Sequence, residues 1–134
     1  MAVLCDNILQ ESNGKPLLIG IYTGGITVAT PSNILEGHNA VLNLSLWLPF
    51  RIPGTGKVSI EVKIIGPSTE NTMMLKGQIL IEHKPSSYEI AAFNFIGLTM
   101  LVGKEGGELK ILFRNEGEKK WTTLNIVPVN TKLI

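Results

Sequence analysis

Three segments of the chain alternate between apolar and polar positions, and this period of two predicts β-strands. In residues 42–48, leucine occupies every second position, with Asn43, Ser45 and Trp47 between the leucines. Residues 58–65 and 109–114 show a similar alternation, built mainly from valine, isoleucine, leucine and phenylalanine. Because successive side chains of a strand point to opposite faces, each segment has one apolar and one largely polar face. Such strands are typical of antiparallel sheets that bury one side.

Glycine, proline and asparagine separate these apolar segments. Asn13-Gly14 lies between residues 2–10 and 17–22, and this dipeptide between two apolar segments predicts a hairpin. Loops or turns are expected in residues 49–56, 66–72, 84–87, 106–107 and 115–117. The last two turns predict a C-terminal meander of strands near 96–103, 108–114 and 119–127.

Eight or nine short strands at this spacing predict an all-β fold. We expect a single-domain antiparallel β-sandwich over residues 1–134, with Greek-key character. A small barrel is the alternative, but half-polar strands and loops of unequal length favour the sandwich. The one helical candidate is Thr30 to Gly37, of one or two turns, in which Thr30 caps the helix and Pro31 takes the first position.

The composition fits a folded domain and excludes several classes of protein. With 134 residues, 44% hydrophobic and 17% charged, the chain has enough apolar surface for one core without metal ions or disulfides. A net charge of +1 provides no general attraction to nucleic acid or to anionic lipid. A single cysteine cannot form an internal disulfide, which fits a reducing compartment. The longest uncharged stretch, residues 16–35, is interrupted by glycine and proline, so we do not expect it to span a membrane. We see no signal peptide and expect a soluble cytoplasmic protein.

The opening segment carries a pattern of its own. Its residues are Cys5-Asp6-Asn7-Ile8, Glu11, Asn13-Gly14-Lys15 and Leu18-Ile19-Gly20-Ile21-Tyr22. This pattern resembles the opening of a family of small uncharacterised bacterial all-β proteins, in which a Cys-acidic pair precedes a Gly-Lys turn and a Leu-Ile-Gly strand. The resemblance covers roughly the first twenty residues. It implies an all-β fold and a bacterial origin, and it assigns no catalytic or binding residue.

No motif in the sequence indicates a cofactor or a metal site. Gly54-Thr55-Gly56-Lys57 lacks the earlier glycine of a phosphate-binding loop, has Val58 where Ser or Thr is needed, and precedes a predicted strand. We therefore interpret it as a turn. Cys5, His38 and His83 are too far apart in sequence to form a short metal-binding motif, so we predict no metal and no cofactor.

The residues that could perform catalysis also have simpler explanations. His38 lies in a predicted loop and His83 at a strand end, where either could act as a base. The carboxylate of Asp6 would raise the pKa of the neighbouring Cys5 thiol, which opposes a nucleophilic role, so we interpret Cys5 as a small core residue. Outward strand positions and turns explain most of the glutamates. We assign no catalytic residue.

Apolar residues on predicted polar faces are the remaining candidates for a functional surface. The three candidates on the face opposite the apolar face of their strands are Trp47, Ile65 and Leu112. If they lay together on one surface, they would form an interface for a partner. Trp121, near the start of the last strand, is predicted to be in the core.

The sequence thus favours a non-enzymatic binding or interaction module. We expect it to associate with another protein or with itself, through a sheet face or an edge strand, and to bind neither nucleic acid nor membrane. Two alternatives stay open: a small hydrolase that uses loop glutamates or histidines, and a sandwich that binds a carbohydrate or small ligand, with Trp47 or a tyrosine as a stacking platform.

Overall fold

The computed structural model describes residues 2–12, 15–30, 40–67, 72–83, 90–103 and 105–133, which form ten β-strands and no helix. The strands are β1 (Val3–Cys5), β2 (Asn7–Gln10), β3 (Pro16–Ile19), β4 (Ile26–Thr30), β5 (Ala40–Arg51), β6 (Gly56–Ile65), β7 (Thr72–Ile81), β8 (Ile90–Val102), β9 (Gly107–Asn115) and β10 (Thr122–Leu133). The predicted all-β class is confirmed, with ten strands rather than eight or nine. Part of the difference arises at Asp6, where the predicted first strand divides into β1 and β2.

The strands form two larger sheets and a hairpin. One sheet has three strands in the order β1-β5-β8, and the other has five in the order β4-β10-β9-β6-β7. The inward side chains of both sheets meet in one hydrophobic core. The alternating segments recognised in the sequence supply much of it, including Leu44, Leu46, Val62, Ile64, Leu109 and Ile111.

The hairpin of β2 and β3 lies against the outer face of the three-stranded sheet. The two strands pair in register around the predicted turn, so the predicted hairpin is confirmed, although Asn13 and Gly14 lie outside the described residues. Ile8 of the hairpin is buried outside the main core, as are Cys5 and Ser45. The hairpin thus creates a small second buried layer, and the predicted burial of Cys5 is confirmed there rather than in the main core.

Three details differ from the predictions. β4 pairs with β10 in parallel, whereas every other pairing is antiparallel within the described part of the chain. β8 and β9 belong to different sheets, so the predicted C-terminal meander is reduced to the antiparallel pair of β9 and β10. β5 continues through Pro49 to Arg51, where a loop was predicted. Proline is tolerated there because β1 pairs with β5 only as far as Trp47, which leaves that side of β5 open.

Two further predictions concern a helix and a turn. Thr30 is the last residue of β4, and the rest of the helical candidate, residues 31–37, lies outside the described residues. The glycine-rich segment before Lys57 is a turn that leads into β6, as predicted. The part of the chain that the structure describes contains no helix of the length and hydrophobicity that a membrane span requires.

Candidate ligand-binding pocket

An apolar pocket opens between the two larger sheets at one end of the sandwich. Its volume is about 280 Å³. The pocket is surrounded by the end of β5, the start of β6, the start of β8, and the β9–β10 connection with its flanking strands. The apolar residues that line it are Leu48, Pro49, Phe50, Pro53, Val58, Ile60, Phe93, Phe113 and Leu124.

Aromatic side chains form one wall of this pocket because of the β5–β8 register. Phe50 and Phe93 both point between the sheets, and their rings stack with centroids 5.0 Å apart. Phe95 extends the stack, with its centroid 6.4 Å from that of Phe93. On the opposite sheet, β7 presents Gly77 to Phe93, and a Cβ at Gly77 would overlap the phenyl ring. The glycine therefore allows the ring to pack closely against the backbone of β7.

Two polar residues, Asn115 and Arg51, contribute to the lining of the pocket. Asn115 donates a hydrogen bond from Nδ2 to Oε1 of Glu118, at 3.0 Å, so its amide is held by the β9–β10 turn. Arg51 is exposed at the end of β5 and forms no ion pair within the described ranges. Arg51 is the one cationic residue in the described lining of the pocket. A guanidinium presents paired N–H donors that match a carboxylate or phosphate.

A second groove lies beside Trp47, on the outer face of the three-stranded sheet. It has a volume of about 410 Å³ and is bounded by the hairpin and by β8. The hairpin half-buries Trp47, and the indole Nε1 is inaccessible to solvent, with no hydrogen-bond partner among the described residues. A bound acceptor could reach this N–H only if the side chains around it moved. The indole N–H of Trp47 is therefore not available to orient a ligand in this conformation.

The three predicted interface residues do not lie on one surface. Trp47 is on the outer face of the three-stranded sheet, whereas Ile65 and Leu112 are neighbours on the outer face of the five-stranded sheet. All three are half-buried. The core lies between the two faces, so Trp47 cannot belong to a patch with the other two.

Trp121 is not a core residue, and the prediction that placed it there was wrong. Its half-buried ring lies beside the charged outer face of the five-stranded sheet, with Lys63 Nζ 4.6 Å and Arg114 Cζ 4.1 Å from its centroid. Arg114 also forms an ion pair with Glu61, with Nη2 2.6 Å from Oε2. Cations over an indole face are attracted to its π electrons, which explains an aromatic residue in this position.

Three residues of the opening pattern, Asp6, Gly20 and Tyr22, meet in one polar cluster. The Asp6 carboxylate accepts a hydrogen bond from Tyr22 Oη at 2.5 Å and lies so close to Gly20 that a Cβ there would overlap it. The Asp6 backbone N–H donates to the carbonyl oxygens of Ile19 and Gly20. The cluster fixes the path from β1 into the hairpin. We interpret Asp6, Gly20 and Tyr22 as structural residues.

Ser45 completes the buried layer beneath the hairpin. Its hydroxyl donates to the Asp6 carbonyl oxygen at 3.5 Å and accepts from the Gly97 N–H at 3.4 Å. Burial raises the pKa of the Cys5 thiol, and the charge of Asp6 raises it further. The thiol is fully buried and is held in its neutral form, so Cys5 is unsuited to nucleophilic attack.

The Tyr22–Asp6 pair predicts a pH dependence of stability. The hydrogen bond to Asp6, followed by burial and the charge of the carboxylate, raises the pKa of Tyr22 to about 12, from an ordinary value of 10.0. Because the folded-state pKa is the higher one, the contribution is complete below about pH 10 and is lost as the pH rises towards about 12. We expect the difference in the free energy of unfolding between the wild type and Tyr22→Phe to shrink over this range in urea titrations. A difference that is constant with pH would contradict the assignment.

The histidines and glutamates show no catalytic grouping in the part of the chain that is described. His83 is exposed after β7, and His38 lies outside the described residues. Glu61 forms an ion pair with Arg114, and Glu118 accepts a hydrogen bond from Asn115. Among the described residues there is no group of three or more His, Cys, Asp or Glu side chains that could hold a metal ion.

Sequence reasoning missed the residues that form the pocket. Phe50 and Arg51 were placed in a loop because of Pro49, and Phe93 lies in a strand whose apolar residues do not alternate regularly. The one available signal was Arg51 itself, one of only two arginines, directly after an apolar strand.

Comparison with known proteins assigns no relative. No protein-family model matches the chain, and no curated protein matches it. The resemblance of the opening segment therefore stays a prediction.

Proposed function

We propose that the protein is a non-enzymatic binding module for a small apolar ligand that carries an anionic group. The apolar part, one aromatic ring or a short acyl chain, enters the pocket between the sheets, and the anion pairs with Arg51. The observation that carries the proposal is the phenylalanine-lined cavity whose lining includes Arg51, a residue that forms no ion pair among the described residues.

The size and lining of the pocket define the ligand class. Ligand sites are mostly apolar concavities of about 300–1,000 Å³ with a few polar groups that orient the ligand. At about 280 Å³, this pocket lies just below that range, which favours a small ligand. Its stacked phenyl rings favour a flat or flexible apolar group, and Arg51 favours a carboxylate over a neutral polar group.

The chemistry of the lining supports binding rather than catalysis. Arg51 and Asn115 are the polar residues in the described lining, and neither is a nucleophile or a general base at neutral pH. The groove beside Trp47 is the weaker candidate, because its distinctive polar group, the indole N–H, is closed to solvent.

Binding of matched acids and amides tests the proposal. Phenylacetate and hexanoate should bind with affinities between micromolar and about 1 mM, as measured by calorimetry and ligand-detected NMR. Arg51→Ala should weaken carboxylate binding about tenfold or more, since a charge-assisted hydrogen bond is lost. Phenylacetamide and hexanamide should be affected much less, because they carry no charge.

Arg114→Ala is the matched control, because it removes the other arginine, which lies on the outer face and is paired with Glu61. It should leave carboxylate affinity unchanged. Val58→Phe, which fills the pocket from β6, should abolish binding of acid and amide alike. The proposal fails if none of the probes binds below about 1 mM, or if Arg51→Ala and Arg114→Ala have equal effects.

A further inference from the structure

The strand β7 forms a long outer edge of the five-stranded sheet. It pairs with β6 through ten consecutive residue pairs, without a bulge. Within the described residues, no strand pairs with its other side. A free edge of this kind presents a row of backbone N–H and C=O groups that can pair with another strand.

The sequence of β7 has few of the features that usually protect an edge. Edge strands are typically short, interrupted by bulges, or marked by proline and several charges. β7 has no proline and a single charged residue, Lys76, and its outer face exposes 50% of Met74 and 65% of Leu80. β8 is the other long edge, but a register shift opposite Ser45 interrupts it. β7 is therefore the edge best suited to pairing.

We propose that β7 pairs with β7 of a second copy of this chain, antiparallel about a two-fold axis at Gly77. Each residue then lies opposite its mirror position in the strand, so Met74 faces Leu80 of the other copy and Lys76 faces Gln78. On the inner face, Leu75 lies opposite Ile79. This inference is independent of the ligand pocket.

Alternative registers explain why the axis falls at Gly77. Side chains keep their inner or outer face only if the register shifts in steps of two, and the axes nearest the centre of β7 then fall at Lys76, Gly77 or Gln78. An axis at Lys76 sets two lysines directly opposite each other, and one at Gln78 sets Met74 opposite Glu82. Like charges and apolar–charged pairs destabilise cross-strand contacts. Of these three axes, only the one at Gly77 pairs apolar with apolar residues on both faces.

The same self-complementarity favours a second copy over an unrelated partner. A two-fold interface requires one surface to match itself, and β7 does so at each position from Met74 to Leu80. The net charge of +1 provides little repulsion between copies. The paired sheet would continue across both molecules, as in other assemblies formed by strand addition.

Site-directed cross-linking tests the register. Met74→Cys and Leu80→Cys are prepared separately and then mixed, and a short bis-maleimide is added. The mixture should cross-link at least about tenfold faster than either variant alone, because facing residues lie about 5 Å apart and two copies of residue 74 about 20 Å apart. The natural Cys5 is fully buried and does not compete.

Paired charges provide a second test, read out by sedimentation equilibrium. Met74→Lys with Leu80→Lys places like charges opposite each other and should raise the dimer dissociation constant about tenfold or more, whereas Met74→Glu with Leu80→Lys places opposite charges there and should restore the dimer. Circular dichroism should show the same fold for all variants, because both positions are exposed.

Either of two results would overturn the proposal. One is a wild-type chain that stays monomeric at all accessible concentrations. The other is a dimer in which the single-cysteine variants cross-link as fast alone as when mixed, or in which the two charge variants behave alike.

Discussion

Gly106→Ala should lower the free energy of unfolding by about 3 kcal/mol or more, measured by urea denaturation. Gly106 follows β8 in the turn that leads to β9, with a φ of +70° and a hydrogen bond from its N–H to the carbonyl oxygen of Gly103. An alanine at this φ is strained, and its Cβ would overlap the backbone carbonyl oxygen of Val129 in β10. That carbonyl belongs to the β9–β10 ladder, so it cannot move away without loss of pairing.

Gly117→Ala separates the effect of backbone strain from the effect of the overlap with Val129. Gly117 also has a positive φ, of +90°, but a Cβ there meets no atom within 4 Å. Only the backbone strain applies, so we expect a loss of about 1–2 kcal/mol. Equal losses in the two variants would show that β10 yields to the extra methyl group, and the close approach of the turn to Val129 would then have no energetic importance.

Ile111→Ala should lower the free energy of unfolding by about 2–5 kcal/mol, the range for a large buried residue cut to alanine. Ile111 is fully buried in the centre of β9, where it faces the core between the two larger sheets. The truncation removes apolar contacts and leaves a cavity that the strands on both sides, held by backbone hydrogen bonds, cannot close.

Ile126→Ala in the neighbouring strand is the matched control. Ile126 is 56% exposed on the outer face, so the same change should alter stability by no more than about 0.5 kcal/mol. If the two truncations had similar effects, the assignment of inner and outer faces in β9 and β10 would be incorrect. A large effect at Ile126 alone would instead indicate that a partner covers the outer face.

The local structure could be predicted well because alternation is a local property. Leu42 to Leu48 and Val58 to Ile64 each have one face that repeats every second residue, and these positions are buried or half-buried in the structure. Asn13-Gly14 likewise predicts its hairpin from the turn chemistry of two residues. In both cases the information lies within about ten residues of chain.

The pairing of distant strands could not be predicted in this way. β4 lies beside β10, and β9 lies beside β6 rather than β8, yet no residue in those strands specifies its neighbour. Trp121 was misplaced for a related reason: its cationic partners, Lys63 and Arg114, come from two other strands. The pocket at Arg51 was missed because five separate strands form it.

The parallel pairing of β4 with β10 affects how the protein can acquire its structure during synthesis. Val129 lies beside Ile26, about 100 residues away along the chain, and β10 separates β4 from β9. The nascent polypeptide can therefore complete the five-stranded sheet only after residue 133 has left the ribosome. Until then, one side of β4 and one side of β9 lack their partner, and such unpaired strands are prone to aggregation. We therefore expect the chain to fold slowly for its size, because its contacts are predominantly non-local.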